Sequence, residues 1–258
     1  MTPTPNFKVQ SEECKVESAK CKVQSRFKVQ RRPGPGSWTR LVLLAVALTA
    51  TGAFAQQRGV HPVSGRVYAG TMGVQGAPWL DRAERDREED PDLAIRLLRI
   101  QKGSTIADVG AGSGNITIRL AKAVGPMGKV YANDIQQGML DILQKNVAKA
   151  RLMNVVPVLG GLDDPKLPAE SIDLAIMVDV YHEFSEPQKM LQRLREAIKP
   201  GGRLVLLEYR AEDPDVPILR EHKMTKAQVK LEVEHEGFKQ SRVYDDLPWQ
   251  HLFVFTRP

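Results

Sequence analysis

Residues 108–114 read Asp-Val-Gly-Ala-Gly-Ser-Gly, a run that few backbones can accommodate. It stands between STIADV (104–109), which reads as a buried strand, and NITIRLAKAV (115–124), which has helical spacing. Gly110, Gly112 and Gly114 fall at alternate positions. They make a tight strand-to-helix turn whose N–H groups can approach a ligand without Cβ interference. The next apolar run, KVYAND (129–134), ends on Asp134, and an acid there can hold the two hydroxyls of a ribose. Together these features imply a nucleoside-containing ligand across the carboxyl ends of parallel strands. They require Asp134 to face the cleft and the space above Gly112 to be open.

The rest of the chain keeps the same alternation. A helix is predicted at about 136–151, a short strand at 155–159, and a fourth strand in SIDLAIMVDV (171–180), apolar enough to be covered on both faces. Pro187 suits the first turn of a helix over 187–198. Pro200-Gly201-Gly202 ends that helix and feeds a fifth strand, RLVLLEY. A helix at about 225–236 stops near Gly237, and closing strands at about 240–244 and 251–256 flank Leu-Pro-Trp. The expected fold is α/β, a Rossmann-like doubly wound sheet of about seven strands, with five parallel strands and an antiparallel C-terminal edge.

The amino end reads differently. Residues 1–55 carry five Lys and four Arg against three Glu, a net of 9 − 3 = +6, which equals the +6 of the whole chain. The remainder is therefore neutral, which argues against a broad nucleic-acid surface. In residues 1–30, Lys-Val-Gln or Lys-Val-Glu recurs at 8, 15, 22 and 28, as in a disordered extension or a start codon placed too far upstream. Both cysteines, Cys14 and Cys21, lie there, too few ligands for zinc, and no metal site is assigned. Residues 31–55 read as an export signal: Arg31, Arg32 and Arg40, then LVLLAVALTA, then Ala53-Phe54-Ala55 before Gln56. Cleavage would leave the domain periplasmic or otherwise extracytoplasmic. Without cleavage, residues 41–57 would hold it at the inner membrane. Residues 56–102 form a polar cap in which Trp79 and Leu80 can anchor a charged helix. Its DRAERDREED run (81–90) is expected to be a solvated face with ion pairs four residues apart. Residues 103–258 are the main domain.

DVGAGSGNITIRLA, VYANDI, GLDDPKLPAESIDLAIMVDVYHEF and LREAIKPGGRLVLLEY together resemble class I S-adenosylmethionine-dependent methyltransferases, of the type 11/25-like domain, in an exported bacterial member. The resemblance covers roughly 95–258. A dinucleotide binder would place a third glycine at position 117, where this chain has Thr. The resemblance implies S-adenosyl-L-methionine as cofactor. It puts Asp108 near the cofactor's amino group, directly or through water, with Gly110, Ala111, Gly112 and Gly114 beneath its methionyl and ribose parts. Asp134 would hold the ribose, Ile135 the adenine face, and Asp163 the adenine amino group, with Asp164 as the rival for that last role.

Asp179, Tyr181, His182 and Glu183 follow strand four, where such a fold opens onto the methyl group. His182 is the candidate base, because its intrinsic pKa lies near working pH, or else a loop histidine tying an acid in place. Asp179 is assigned to both the catalytic and the cofactor group. Tyr181 lines the acceptor pocket or leans on the cofactor. Glu208, Tyr209, Arg210, His222, Met224, Trp249 and His251 fall on the same rim, where packing or capping is the simpler role. The Asn-Pro-Pro-Tyr signature of base-amine methylases is replaced by MVDVYHEF, and no Cys stands outside the first thirty residues to bind arsenic. A small-molecule or lipid-like acceptor is therefore expected, and no nucleic acid. The alternative is a non-catalytic exported domain that uses the cleft for a nucleoside-like or lipid ligand.

Overall fold

The computed structural model describes residues 59–258. The repeat-like extension, the export signal and the 41–57 segment lie outside the described residues. Among the described residues no helix is long and apolar enough to cross a membrane.

The cap contributes three short helices, α1 (Ala77–Leu80), α2 (Arg85–Glu88) and α3 (Pro91–Leu98). The βα alternation follows: β1 (Thr105–Val109), α4 (Asn115–Val124), β2 (Lys129–Asp134), α5 (Gln137–Lys149), β3 (Val155–Leu159) and β4 (Ile172–Val178). Then come α6 (Pro187–Ala197), β5 (Ile198–Arg210), β6 (Lys223–Met224), α7 (Lys226–His235), β7 (Lys239–Tyr244) and β8 (Gln250–Thr256). The strands form one eight-stranded sheet of order β3-β2-β1-β4-β5-β8-β7, with β6 paired to β5. β1 to β6 run parallel, while β8 is antiparallel to β5 and β7 to β8. The mostly parallel, doubly wound sheet with an antiparallel edge is the one expected.

Successive strand residues face opposite sides, so each strand feeds two cores. In β4, Leu174 and Ile176 pack with Leu98 of α3 and Leu120 of α4, while Ala175 and Met177 pack with Leu191 of α6 and Val229 of α7. Both faces are covered, and the alternating polar residues of a half-exposed strand are missing from β1 and β4 for that reason. The strand order reverses between β1 and β4, and a crevice opens outside their carboxyl ends.

Three features differ from expectation. β6 has only two residues, too short to leave a pattern. β5 begins at Ile198, because Gly201 N–H donates to Arg257 O and Arg257 N–H donates to Gly202 O, so the Pro-Gly-Gly segment is already in the ladder. The 81–90 run is not one solvated helix. Only α2 within it is helical, and Arg85 and Glu89 are only 5% and 2% exposed. Alternating charge at helical spacing looks the same whether it meets water or a buried counter-charge.

Candidate active site

Each glycine of the turn has positive φ: +75° at Gly110, +53° at Gly112 and +90° at Gly114. Packing also forbids a side chain at two of them. A Cβ on Gly110 would lie 2.5 Å from Val180 Cγ2, and one on Gly114 would lie 2.9 Å from Leu143 Cγ. Ala111 is buried in the core behind the turn. Gly112 faces the crevice, but the expected open space above it is taken. Leu80 of the cap reaches over the turn, with Cδ1 2.6 Å from the Cβ position. The cap is thus the roof of a cleft of about 370 Å³, which both Leu80 and Gly112 line.

Asp134 does face the cleft. Its Oδ2 accepts from Gly112 N–H at 2.9 Å and its Oδ1 from Gln136 N–H at 2.8 Å. Burial raises its pKa even though these backbone donors oppose the shift. Ile135 N–H is a third backbone donor to this carboxylate, which, with about four acceptor positions, keeps capacity for a ligand hydroxyl. Ile135 lines the same wall. Asp163 does not: it is exposed and outside the cleft, whose lining there is Gly161 and Leu162. Asp164 spends Oδ1 on Lys166 N–H. The Asp-Asp-Pro turn points its carboxylates to water, so neither acid reaches the site.

Across the cleft, the cap inserts an ionic cluster that the sequence concealed. Arg85 Nε donates to Glu89 Oε2 at 2.6 Å, and Glu89 Oε1 accepts from Tyr209 Oη at 2.9 Å and from Arg82 at 2.8 Å. Arg85 also stands 4.0 Å from Asp179 Oδ2. Asp179 follows β4 with φ +52° and accepts from Gln250 Nε2 at 2.6 Å. Its Oδ1 is buried with no hydrogen-bond partner. Burial, with Glu89 and Glu208 nearby, pushes its pKa well above the ordinary carboxylate range. Asp108 lies behind the turn, outside the main cleft, beside a cavity of about 30 Å³ shared with Arg85 and Gly110. It accepts from Thr117 Oγ1 at 2.5 Å, and burial raises its pKa to about 6.

His182 is 1% exposed yet lines the cleft. Its backbone carbonyl accepts from Ala69 N–H and from Arg66 Nη1, both at 3.0 Å, and Glu232 grips the Arg66 guanidinium. Its Nδ1 stands 2.6 Å from Glu208 Oε2, while Glu208 Oε1 accepts from Tyr181 N–H. Its Nε2 stands 3.1 Å from His222 Nδ1. Glu183 closes the group: Oε2 accepts from Met72 N–H at 3.2 Å, and Oε1 lies 3.9 Å from His222 Nδ1. Burial raises the Glu183 pKa to about 7.

Tyr181 contradicts its assignment to the acceptor pocket. Its side chain turns into the core, edge-to-face with Phe184 at 5.7 Å and under the Arg66 guanidinium at 5.5 Å. The short helical turn Tyr181–Glu183 sends successive side chains in different directions, so His182 and Glu183 face the cleft while Tyr181 faces inward. Among the rim residues, Glu208, Tyr209 and His222 belong to the site. Met224 is core, and His251 is tied to Asp245 and Glu212 away from it.

Residues 100–249 match the family described as "Methyltransferase domain". A demethylmenaquinone methyltransferase of Geobacillus sp. strain WCH70 is 28% identical over 149 residues, 58% of this chain and 62% of that protein. The Geobacillus stearothermophilus enzyme of the same description is 33% identical over 114 residues, 44% of this chain and 49% of that protein. The chain thus spans about half to three fifths of the length of these relatives. A solved S-adenosylmethionine-dependent methyltransferase from Aquifex aeolicus superposes with a TM-score of 0.70 at 28% identity, covering 73% of this chain and all of that one. The cyclase SpnF shares the fold at a TM-score of 0.57 and 17% identity, over 79% of this chain and 87% of its own. The fold by itself therefore does not fix the reaction. The family match extends over more than half of the sequence, and the chain belongs to the methyltransferase domain family, in the class I S-adenosylmethionine-dependent form of the fold.

Proposed function

We propose that this chain transfers a methyl group from S-adenosyl-L-methionine to a small or lipid-like acceptor, with a reduced quinone or related phenol as the acceptor class. The observation that carries the cofactor half is Asp179 Oδ1, a buried carboxylate oxygen in the cleft wall with no partner in the protein. A buried acid in that state calls for a cation or a donor. S-Adenosylmethionine has an ammonium and a sulfonium beside a ribose diol. When bound, it supplies an electrophilic methyl carbon on a sulfur that leaves as a neutral thioether.

The residues present fit that molecule. Asp134 is the ribose acceptor, Ile135 faces the adenine, and Gly110 and Gly112 give close backbone approach. Asp179 takes the amino group, with Asp108 behind the turn at the small cavity, which is large enough for a water. Ala111 and Gly114 shape the turn from its buried side. The adenine edge meets Gly161 and Leu162 rather than Asp163.

The acceptor half draws on the demethylmenaquinone methyltransferases and on the far wall, where Phe184, Pro217, Ile218 and Leu219 offer an apolar lining suited to a ring. The chain's own work is alignment, exclusion of water and handling of the acceptor's proton. Glu208 holds a proton at His182 Nδ1, which leaves the Nε2 lone pair toward the cleft to accept one, with His222 adjacent to pass it on.

Calorimetric titration of the full chain with S-adenosylhomocysteine tests the cofactor half. Tritiated methyl donor with a reduced short-chain demethylmenaquinone tests the acceptor half. A non-catalytic binding domain is the second reading, favoured by Leu80 over Gly112; it predicts ligand retention with no label in any acceptor. The export-signal reading of residues 31–55 would place the domain outside the cytoplasm or at the inner membrane. Mass spectrometry of the mature amino terminus would test that placement.

A further inference from the structure

Three metal-ligating side chains converge on the wall of the cleft. His182, Glu183 and His222 each offer one donor atom, and these atoms lie within 4.8 Å of one another. All three residues line the cleft. We propose that His182 Nε2, a ring nitrogen of His222 and Glu183 Oε1 bind one divalent transition-metal ion of the zinc type, whose open positions face the acceptor.

The spacing suits such an ion. Metal–nitrogen bonds of about 2.0–2.1 Å around a tetrahedral centre place ligand atoms roughly 3.3 Å apart. The two histidine nitrogens stand 3.1 Å apart already, and Glu183 Oε1, at 3.9 Å from His222, has to close by about half an ångström. The surroundings set the ligand atoms in the right chemical state. Glu208 at 2.6 Å fixes the His182 proton on Nδ1, so Nε2 carries the lone pair. A buried carboxylate behind a ligating histidine is the usual support of a metal-bound imidazole. Met72 N–H occupies Glu183 Oε2 and leaves Oε1 for the ion. Three protein ligands on the wall of an open cleft leave coordination positions free, the pattern of catalytic rather than structural sites. Two imidazoles and one carboxylate favour zinc-like ions over calcium or magnesium, which prefer all-oxygen shells.

The acceptor this implies is one that binds a metal through an oxygen it can present as an anion, such as a phenol or enol. Such an ion would lower the pKa of that oxygen, in place of proton removal by the bare ring. That substrate class rests on the methyltransferase reading, whereas the metal site itself does not.

The test uses the full chain with Cys14 and Cys21 changed to Ser, so that thiols cannot supply zinc ligands, after chelator treatment. Titration with Zn²⁺ is expected to show one ion per chain, and Co²⁺ to give visible absorption of a four- or five-coordinate centre. His222→Ala and Glu183→Gln should each weaken binding by about a hundredfold or more. Glu208→Gln keeps all three ligands and should weaken it by about 10- to 100-fold. His222 is partly exposed, so circular dichroism will show that its variant still folds. No bound ion at about 100 μM Zn²⁺, or affinity in His222→Ala and Glu183→Gln unchanged from the parent, overturns the proposal. Adenosylhomocysteine titrated into the same metal-free sample reports the cofactor reading independently of either outcome.

Discussion

Glu208 Oε2 lies 2.6 Å from His182 Nδ1, and both side chains are shut off from bulk water while the other face of the imidazole opens on the cleft. Glu208 is therefore a positioning residue: it sets the tautomer and touches nothing in the cleft. In turnover with a reduced demethylmenaquinone, His182→Asn should lower kcat by about a hundredfold or more. Glu208→Gln should lower kcat and shift the pH profile while leaving adenosylhomocysteine affinity within about threefold. Loss of cofactor affinity equal to the loss of kcat would assign the pair to folding instead.

Leu80 covers the turn where the methionyl and ribose parts are expected to pass. Half-buried, it has to move for ligand to approach Gly112. Leu80→Ala removes that displacement, worth about 1 kcal/mol of apolar contact, and should tighten adenosylhomocysteine a few-fold by calorimetry. A tenfold weakening would mean that Leu80 packs on the ligand rather than standing in its way.

Arg85 is the more deeply buried of two cations, with Arg82, in the cluster that includes Glu89 and Asp179. Arg85→Ala would leave those acids facing one another without it, and denaturant unfolding should show a loss of about 3–5 kcal/mol. A change below about 1 kcal/mol would show the cluster to be hydrated, as a surface ion pair is.

Asp108 gives a pH signature. Folded, it holds its proton up to about pH 6; its ordinary value is 3.8. Between those values the folded chain binds more protons than the unfolded one, so this group's contribution to stability falls as pH rises through the window and is flat above it. The shift corresponds to about 3 kcal/mol. Asp108→Asn should remove that slope in denaturant titrations between about pH 4 and 6, and an unchanged slope would place its origin elsewhere.

Much of the architecture could be read from the sequence because two periodicities were unmixed. The strands buried on both faces are continuous apolar runs, and the helices carry one apolar stripe. Asp134 was legible for a local reason, since it ends a strand beside the glycine turn. The cap was not. Arg85 and Glu89 are four apart in a run of mixed charge, and that spacing carries no information about which side of the chain will meet the sheet. His222 lies forty residues from His182, in a stretch with no periodic pattern, and only the pairing of Lys223–Met224 with Tyr209–Arg210 brings it alongside. Asp163 is missed because Gly161 and Leu162, just before the Asp-Asp-Pro turn, supply the cleft wall while the turn itself faces solvent. Tyr181 failed because a single helical turn separates the directions of three consecutive side chains.

The central claim is that Asp134 and the glycine turn grip the ribose of an adenosyl cofactor. Its most direct measurement is adenosylhomocysteine affinity in the full chain, compared with Asp134→Ala and Asp163→Ala. One site is expected in the parent, with Asp134→Ala weaker by about a hundredfold or more, as two charge-assisted hydrogen bonds of about 1.5–3 kcal/mol each would give, and Asp163→Ala unchanged within about twofold. No binding by the parent chain at millimolar ligand, or equal affinity in Asp134→Ala, would contradict the claim.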